Sequence, residues 1–145
     1  DGWLRTGDLG RIDTQGHLHL FGRKKNMVVT EGGKNVYPED VEGAFQGIPV
    51  KEFCIFAAHA LWPREPALRE RLVLVARLPD GAALDDALVE TLRERNRRLP
   101  AYKRVHAALA WDRDFPRTAS MKVKRTPLAG EVGADPSRSA ALRAL

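Results

Sequence analysis

Residues 71–78, RLVLVARL, form a short run of apolar and β-branched side chains between two polar segments. A run of this length and composition predicts a buried strand. Similar runs stand on either side of it along the chain, VKEFCIFAA at 50–58 and VHAALAW at 105–111. Between the second and third runs, the range 84–99 carries leucines at helical spacing, which predicts an amphipathic helix. Together these elements predict an α+β fold, a small domain with a three-stranded sheet and flanking helices.

Smaller elements are predicted on both sides of this core. The stretch GHLHLFG at 16–22 alternates between apolar and polar side chains, which predicts a strand paired with residues 10–13 in a β-hairpin. Pro38, followed by acidic residues, is typical of the first turn of a helix. After the core, the polar range 114–125 predicts a loop. The tail 131–145 has no clear period, and we expect it to be disordered.

Composition narrows the class of protein. The chain has 145 residues, 43% hydrophobic and 30% charged, which excludes collagen, a disulfide scaffold and intrinsic disorder. No apolar run approaches the roughly 20 residues of a membrane-spanning helix, so we expect no membrane span. The sequence begins at Asp1 without methionine or a secretory leader, and we expect an excised piece of a longer protein. The single cysteine, Cys54, lies in an apolar run and predicts core packing in a cytoplasmic protein.

Positive charge is concentrated in the second half of the chain. Residues 1–52 carry a net charge of −1, residues 53–145 carry +6, and the range 93–125 alone carries +8. Such a segment favours an anionic partner, either nucleic acid, a membrane surface or a phosphorylated small molecule. A solvated surface also explains the charge, and the range 93–98 favours that explanation because it falls on the helical pattern. No aromatic side chains alternate with the basic ones, as they would in a binder of single-stranded nucleic acid.

Familiar catalytic signatures are absent from the sequence. It contains no Gly-x-Ser-x-Gly nucleophile motif, no Walker loop and no Gly-x-Gly-x-x-Gly turn. His17 and His19 share a face of the predicted strand, but no further ligand completes a metal set, so we expect no metal site.

Three polar clusters remain as candidates for chemistry. Thr6-Gly7-Asp8 offers a carboxylate for a sugar diol, and the range 22–25, GRKK, places cations between two strands. The range 116–125, PRTASMKVKR, offers hydroxyl groups and lysines that could hold a phosphate. Each cluster taken singly is also typical of a surface turn.

Five motifs occur in an order that resembles that of a known family. Five motifs follow one another: GWLRTGDLG at 2–10, GRKK at 22–25, GKNVYPEDVE at 33–42, LPAYK at 99–103, and PRT at 116–118 with Lys122 and Arg125. This order resembles the carboxy-terminal part of the AMP-forming adenylating enzymes, the superfamily of acyl-CoA synthetases, nonribosomal peptide adenylation domains and beetle luciferases. The resemblance covers residues 1 to about 130.

The resemblance implies roles for the polar clusters. Asp8 matches the aspartate that binds the ribose hydroxyls of ATP and AMP, and Arg23 matches a second nucleotide contact. Lys25 matches the hinge about which the small domain turns between the two half-reactions. Lys122 matches the catalytic lysine that reaches the α-phosphate and the substrate carboxylate during adenylation.

The same resemblance implies a CoA-binding loop and two departures from the family pattern. Gly32 and Gly33 match the loop that flanks the pantetheine tunnel. Met121 stands where the family usually has a glycine before the catalytic lysine, which puts the geometry of Lys122 in question. The link from Arg23 to the glycine pair is also one residue longer than usual.

A domain organisation and a reaction follow from the resemblance. Residues 1–22 would be the terminal strands of a large adenylation domain, residues 23–130 its mobile lid, and residues 131–145 a tail. The implied reaction joins a carboxylic acid, fatty or aryl, to ATP and then to CoA. Mg²⁺ would be bound mainly by the large domain, which is the lid's own partner, and the lid alone would be inactive. No nucleic acid partner is expected on this interpretation.

Two alternatives stay open from the sequence. One is the lid of a fatty-acyl-AMP ligase, which delivers the adenylate to a carrier protein. The other is a stand-alone basic module that binds nucleic acid with strong salt dependence.

Overall fold

A four-stranded mixed sheet forms the centre of the molecule in a computed structural model that describes residues 2–30, 32–68 and 70–145. The strands are β1 Asp8–Ile12, β2 Leu18–Arg23, β3 Val28–Val29, β4 Asn35–Val36, β5 Glu52–Ala57, β6 Leu72–Arg77, β7 Val105–Trp111 and β8 Arg143–Ala144. The helices are α1 Pro38–Glu42, α2 Ala58–Leu61, α3 Asp86–Arg97 and α4 Arg125–Gly133. In the described part of the chain, none of these helices has the length and apolarity needed to cross a membrane.

The sheet has the strand order β5-β6-β7-β8. β5 runs antiparallel to β6, with Cys54 opposite Val75, whereas β6 runs parallel to β7, with Leu74 opposite Ala108. A parallel pair needs a crossover, and α3 supplies it between β6 and β7. The predicted α+β class, its three core strands and its long amphipathic helix are therefore confirmed.

A fourth strand was not predicted. Residues Arg143–Ala144 pair antiparallel with β7, and the amide of Leu145 donates to the carbonyl of His106 at 3.0 Å. The tail expected to be disordered therefore contains this strand and a 3₁₀ helix at Pro136–Ala141. β8 is held by backbone hydrogen bonds to the open edge of the sheet. Its side chains show no periodic pattern from which a strand could be predicted.

Each face of the sheet carries its own apolar layer. On one face, Ile55 and Leu74 pack with Val41 of α1 and Leu92 of α3. On the other face, residues of the alternate register pack against α2 and α4, among them Val73, Val75, Leu109, Leu128 and Val132. This alternation of inward side chains is what a sheet covered on both faces requires.

Helix α4 begins at the end of the range predicted as a loop. Its sequence, RTPLAGEVG, carries a proline and two glycines and therefore has weak intrinsic helix propensity. Burial of Leu128 and Val132 stabilises it instead. Gly133 permits the packing on α2, because a Cβ atom there would lie 2.1 Å from the carbonyl oxygen of Leu61.

The predicted amino-terminal hairpin is confirmed as β1 and β2. Asp8 lies opposite Arg23 in the register, and Ile12 lies opposite Leu18. The turn is closed by Asp13, whose carboxylate accepts the amide of His17 at 2.9 Å and the side chain of His19 at 2.8 Å. These contacts, with the His19 hydrogen bond the largest cause, lower the pKa of Asp13.

Candidate functional site

A cleft of about 590 Å³ lies where the end of the hairpin, the start of α1 and the segment before α4 meet. Its lining includes four residues that the sequence analysis singled out from distant parts of the chain: Asp8, Arg23, Lys25 and Lys122. Other lining residues are Asn26, Glu39, Thr118 and Lys124. The cleft is therefore open and lined by several cations, a setting that suits a phosphorylated ligand.

Strand pairing places Asp8 and Arg23 side by side at the rim of the cleft. Arg23 Nε lies 3.4 Å from Asp8 Oδ1. The amide of Asp8 donates to Thr6 Oγ1 at 3.2 Å, and the amide of Lys24 donates to the carbonyl of Gly7 at 2.9 Å. The Asp8 carboxylate is thus held at the start of β1 and keeps oxygen lone pairs for hydroxyl donors.

Lys25 lies in the short link that leaves the hairpin. It is the middle residue of a 3₁₀ turn, Lys24–Asn26, that follows β2 directly. The amide of Met27 closes this turn by donating to the carbonyl of Lys24 at 3.3 Å. A single short turn between the hairpin and the rest of the chain is a suitable place for a change in backbone angles.

Lys122 lies at the end of a tight turn that is held by hydrogen bonds to Thr118. Its amide donates to Thr118 Oγ1 at 3.1 Å, and the amide of Thr118 donates back to the Lys122 carbonyl at 2.9 Å. Met121 has a φ of 64°, the left-handed region that glycine adopts most easily. Met121, which stands where the family pattern has a glycine, thus adopts a backbone conformation that favours glycine, with its side chain turned outward and 67% exposed.

Glu39 is a cleft residue that the sequence analysis missed. Asn26 Nδ2 donates to its Oε1, while its Oε2 is buried and has no hydrogen-bond partner among the described residues. Gly22 leaves room for this carboxylate, because a Cβ atom there would lie 3.0 Å from Glu39 Oε2. In the sequence, Glu39 follows the helix-starting proline, so its charge was explained by the helix dipole alone.

Arg125, at the start of α4, lines the cleft and is a structural anchor. Its guanidinium donates to Glu42 and to the carbonyl of Ile55, the latter at 2.7 Å. Burial alone would lower the pKa of Arg125, but the neighbouring Cys54, Glu42 and Glu39 raise it above its ordinary value. The Arg125 guanidinium therefore stays charged and links α4 to α1 and β5.

Gly32 and Gly33 lie apart from the cleft. They belong to the turn between β3 and β4, where Gly33 has a φ of 71° and donates its amide to the carbonyl of Thr30 at 2.7 Å. Gly32 lines a second, shallower cavity of about 800 Å³ together with Lys34 and Tyr102. Lys34 Nζ lies 4.4 Å from the centroid of the Tyr102 ring. The structure therefore brings the other predicted site residues together and places the glycine pair elsewhere.

The second cavity also has a cationic wall. Arg71, Arg104 and His106 line it, and Arg71 donates to the His106 ring. Burial, together with the charge of Arg71, lowers the pKa of His106, so the imidazole accepts this hydrogen bond in its neutral form.

Comparisons with known proteins identify the family of the chain. No family model matches the chain. Feruloyl-CoA synthase from an Amycolatopsis species is 35% identical over 133 residues, which cover 91% of the chain and 24% of that protein. Among solved structures, ATP-bound MatB from Rhodopseudomonas palustris aligns with a TM-score of 0.67 and 32% identity, over 88% of the chain and 24% of MatB.

A third comparison points to the same group of enzymes. The o-succinylbenzoate CoA synthetase of Bacillus subtilis, solved with its acyl-adenylate intermediate, aligns with a TM-score of 0.66 and 29% identity over 88% of the chain. The chain spans about a quarter of the length of the relatives that it matches. With the motif order, the cleft and these matches together, the chain belongs to the adenylate-forming superfamily of CoA ligases and corresponds to their carboxy-terminal part.

Proposed function

We propose that the chain is the carboxy-terminal lid of an AMP-forming acyl- or aryl-CoA synthetase. The observation that carries the proposal is the convergence of Asp8, Arg23, Lys25 and Lys122 on one cleft. The enzyme would convert a carboxylate and ATP into an acyl-adenylate and pyrophosphate. A CoA thiol would then displace AMP and give the acyl-CoA.

In the first half-reaction, Lys122 would supply positive charge. Attack of the carboxylate on the α-phosphorus builds negative charge on the phosphate oxygens, and a nearby ammonium group stabilises that charge. Asp8 would accept hydrogen bonds from the ribose hydroxyls, with Arg23 beside it as a second nucleotide contact. Mg²⁺ would enter with ATP, held by the phosphates and mainly by groups of the larger amino-terminal domain.

In the second half-reaction, the lid would turn about Lys25. The turn with Gly32 and Gly33 would then face the pantetheine arm of CoA, since two glycines leave space for a thin ligand close to the backbone. The separation of this turn from the Lys122 cleft supports a mechanism in which different faces of the lid serve the two half-reactions.

The hairpin supports the division of the chain at about residue 22. It exposes large apolar side chains on both strands and at its entry, namely Trp3, Leu4, Ile12, Leu18 and Leu20. We propose that a larger amino-terminal domain covers them, since apolar side chains grouped in this way are a mark of a contact surface. That domain would also contain the acid-binding pocket. The likeness to feruloyl-CoA synthase and o-succinylbenzoate CoA synthetase supports a carboxylic acid, fatty or aryl, as the substrate class that we propose.

The positive charge of the segment 93–125 can be explained without a nucleic acid partner. Six of its cations form ion pairs with acidic side chains of this chain: Arg93, Arg97, Lys103, Arg113, Arg117 and Arg125. This internal neutralisation favours the ligase over a stand-alone basic module. We place the enzyme in the cytoplasm, where a lone reduced thiol such as Cys54 is ordinary.

The test is an assay of the full-length protein that contains this chain. Ferulate, benzoate and fatty acids are supplied with ATP, Mg²⁺ and CoA, and AMP and the CoA thioester are measured by mass spectrometry. We expect equal amounts of AMP and thioester with at least one acid, and neither product from the 145-residue chain alone. Adenylate without thioester would identify a fatty-acyl-AMP ligase, and salt-sensitive DNA binding without acid-dependent pyrophosphate release would refute the ligase.

A further inference from the structure

A largely buried carboxylate on the first core strand holds the segment that leads to Lys122. Glu52 is the first residue of β5, and its side chain is only 13% exposed. Its Oε1 accepts the amide of Phe115 at 3.2 Å, and its Oε2 accepts Arg117 Nη2. Arg77 Nη1 adds a second positive charge, 3.7 Å from Glu52 Oε1. The Glu52 carboxylate therefore binds the 115–117 segment instead of facing solvent.

Arg117 extends this support to the residue before Lys122. Its Nη1 donates to the carbonyl oxygen of Met121 at 2.6 Å, while Nη2 of the same planar group contacts Glu52. The Met121 carbonyl belongs to the peptide unit that also contains the Lys122 nitrogen. Because a peptide unit is planar, fixing the oxygen fixes the direction in which the Lys122 backbone leaves the turn.

The other face of this peptide is held independently. Lys122 N donates to Thr118 Oγ1 at 3.1 Å, and Met121 N donates to the Thr118 carbonyl at 2.9 Å. A methionine with a φ of 64° costs about 1 kcal/mol relative to an ordinary conformation, so the turn needs such contacts to stay in place. A glycine would adopt this backbone without that cost.

We infer that Arg117 and Glu52 are positioning residues for Lys122, acting through the Met121 carbonyl, and that this support compensates for the missing glycine. The inference rests on the proposed role of Lys122 in adenylation. Displacing a catalytic group by about 1 Å costs on the order of 100-fold in rate, so loosening the turn should act on the chemical step. Binding of ATP, for which Asp8 and Arg23 are proposed, should change little.

The test uses the full-length enzyme with the variant Arg117→Ala. We expect kcat for acid-dependent pyrophosphate release to fall by about 10- to 100-fold, with KM for ATP changed less than about twofold. Thioester formation from supplied acyl-adenylate should keep the wild-type rate. Arg117→Lys should recover part of the lost kcat. Glu52→Gln preserves the side-chain volume and the Phe115 hydrogen bond, and it should lower kcat in the same way but by less. This second variant keeps the test valid even if Arg117→Ala folds poorly.

A double variant separates positioning from general destabilisation. If Arg117 acts through Lys122, adding Arg117→Ala to Lys122→Ala costs nothing further, whereas additive losses overturn the inference. Arg113→Ala removes a nearby arginine that stacks on Trp111 and should leave both half-reactions unchanged. Equal losses in both half-reactions for Arg117→Ala would also overturn it. If Lys122→Ala itself has no effect on adenylation, the proposed function of Lys122 fails instead.

Discussion

Asp8 and Arg23 face each other across the first hairpin, and their side chains approach to 3.4 Å between Oδ1 and Nε. Both precede Lys25, whereas Lys122 follows it by most of the length of the chain. A rotation of the lid at Lys25 would leave the Asp8–Arg23 pair intact and carry the Lys122 turn away. The two parts of the proposed adenylation site therefore lie on opposite sides of the proposed hinge.

Replacing the proposed catalytic lysine should separate the half-reactions. Lys122→Ala is expected to lower the rate of adenylate formation by about 100-fold or more, because it removes the cation that we propose stabilises the reacting phosphate. Thioester formation from supplied acyl-adenylate should change less than about threefold, as followed by CoA consumption. Lys124→Ala removes a cation from the same cleft and should have a smaller effect; an equal loss in both half-reactions would contradict the role of Lys122.

Replacing the proposed ribose ligand should act on ATP binding. Asp8→Asn removes a charged acceptor, and a hydrogen bond to a charged group contributes about 1.5–3 kcal/mol, so KM for ATP should rise by roughly 10-fold or more. Steady-state kinetics of the full-length enzyme at saturating acid would measure this change. Asp80→Asn serves as the control, because Asp80 pairs with Lys51 away from the cleft. An unchanged KM would remove Asp8 from the nucleotide site.

The left-handed backbone at Met121 makes a prediction about stability. Met121→Val should lower the free energy of unfolding by about 1–2 kcal/mol, because a β-branched side chain fits poorly at positive φ. Met121→Gly should not lower it, since the exposed methionine loses little burial and glycine adopts this φ freely. Urea unfolding of the 145-residue chain measures both, with Ala119→Val in the same turn as the control. A more stable Val variant would contradict the backbone geometry.

Two glycines of α4 should respond in opposite directions to the same substitution. Gly133→Ala is expected to destabilise the chain by roughly 1–3 kcal/mol, because its Cβ would clash with the Leu61 carbonyl. Gly130→Ala meets nothing within 4 Å and should stabilise the helix by about 0.5–1 kcal/mol. Thermal unfolding followed by circular dichroism compares the two. Similar effects at both positions would rule out the close contact of α2 and α4.

The thiol of Cys54 should be inert while the chain is folded. Burial raises its pKa to about 12 from an ordinary value of 9.0, and the charge of Glu42 adds to the shift against the opposing effect of Arg125. A chromogenic disulfide reagent at pH 8 should therefore react with Cys54 only after unfolding in urea. Cys54→Ser provides the blank, and rapid reaction of the folded chain would contradict the burial.

The same shift gives a pH dependence of stability. Between pH 9 and about 12, the folded chain keeps the Cys54 proton and the unfolded chain has lost it. The free energy of unfolding should therefore fall as pH rises through that window, and Cys54→Ser should reduce the fall. Urea titrations at several pH values measure it; identical pH profiles for the two proteins would contradict the shift.

Local patterns in the sequence were sufficient for much of the fold. Local patterns predicted the hairpin, the three core strands and helix α3. Each of these elements has either a period of apolar side chains or a turn signal within a short stretch of sequence. Helix α4 was not predictable, since its proline and glycines oppose a helix and only the burial of Leu128 and Val132 stabilises it. Strand β8 was not, because its two residues pair through the backbone.

The sequence by itself determined which residue types stand at each motif and in what order, and that order was enough to identify the family. Only the tertiary structure decided that Asp8 and Lys122 line one cleft, that Glu39 joins them, and that Glu52 holds the lysine turn through Arg117. These relationships join segments from distant parts of the chain. The packing of the sheet and its helices brings them together, and a local pattern of residues carries no record of a partner that lies so far away in sequence.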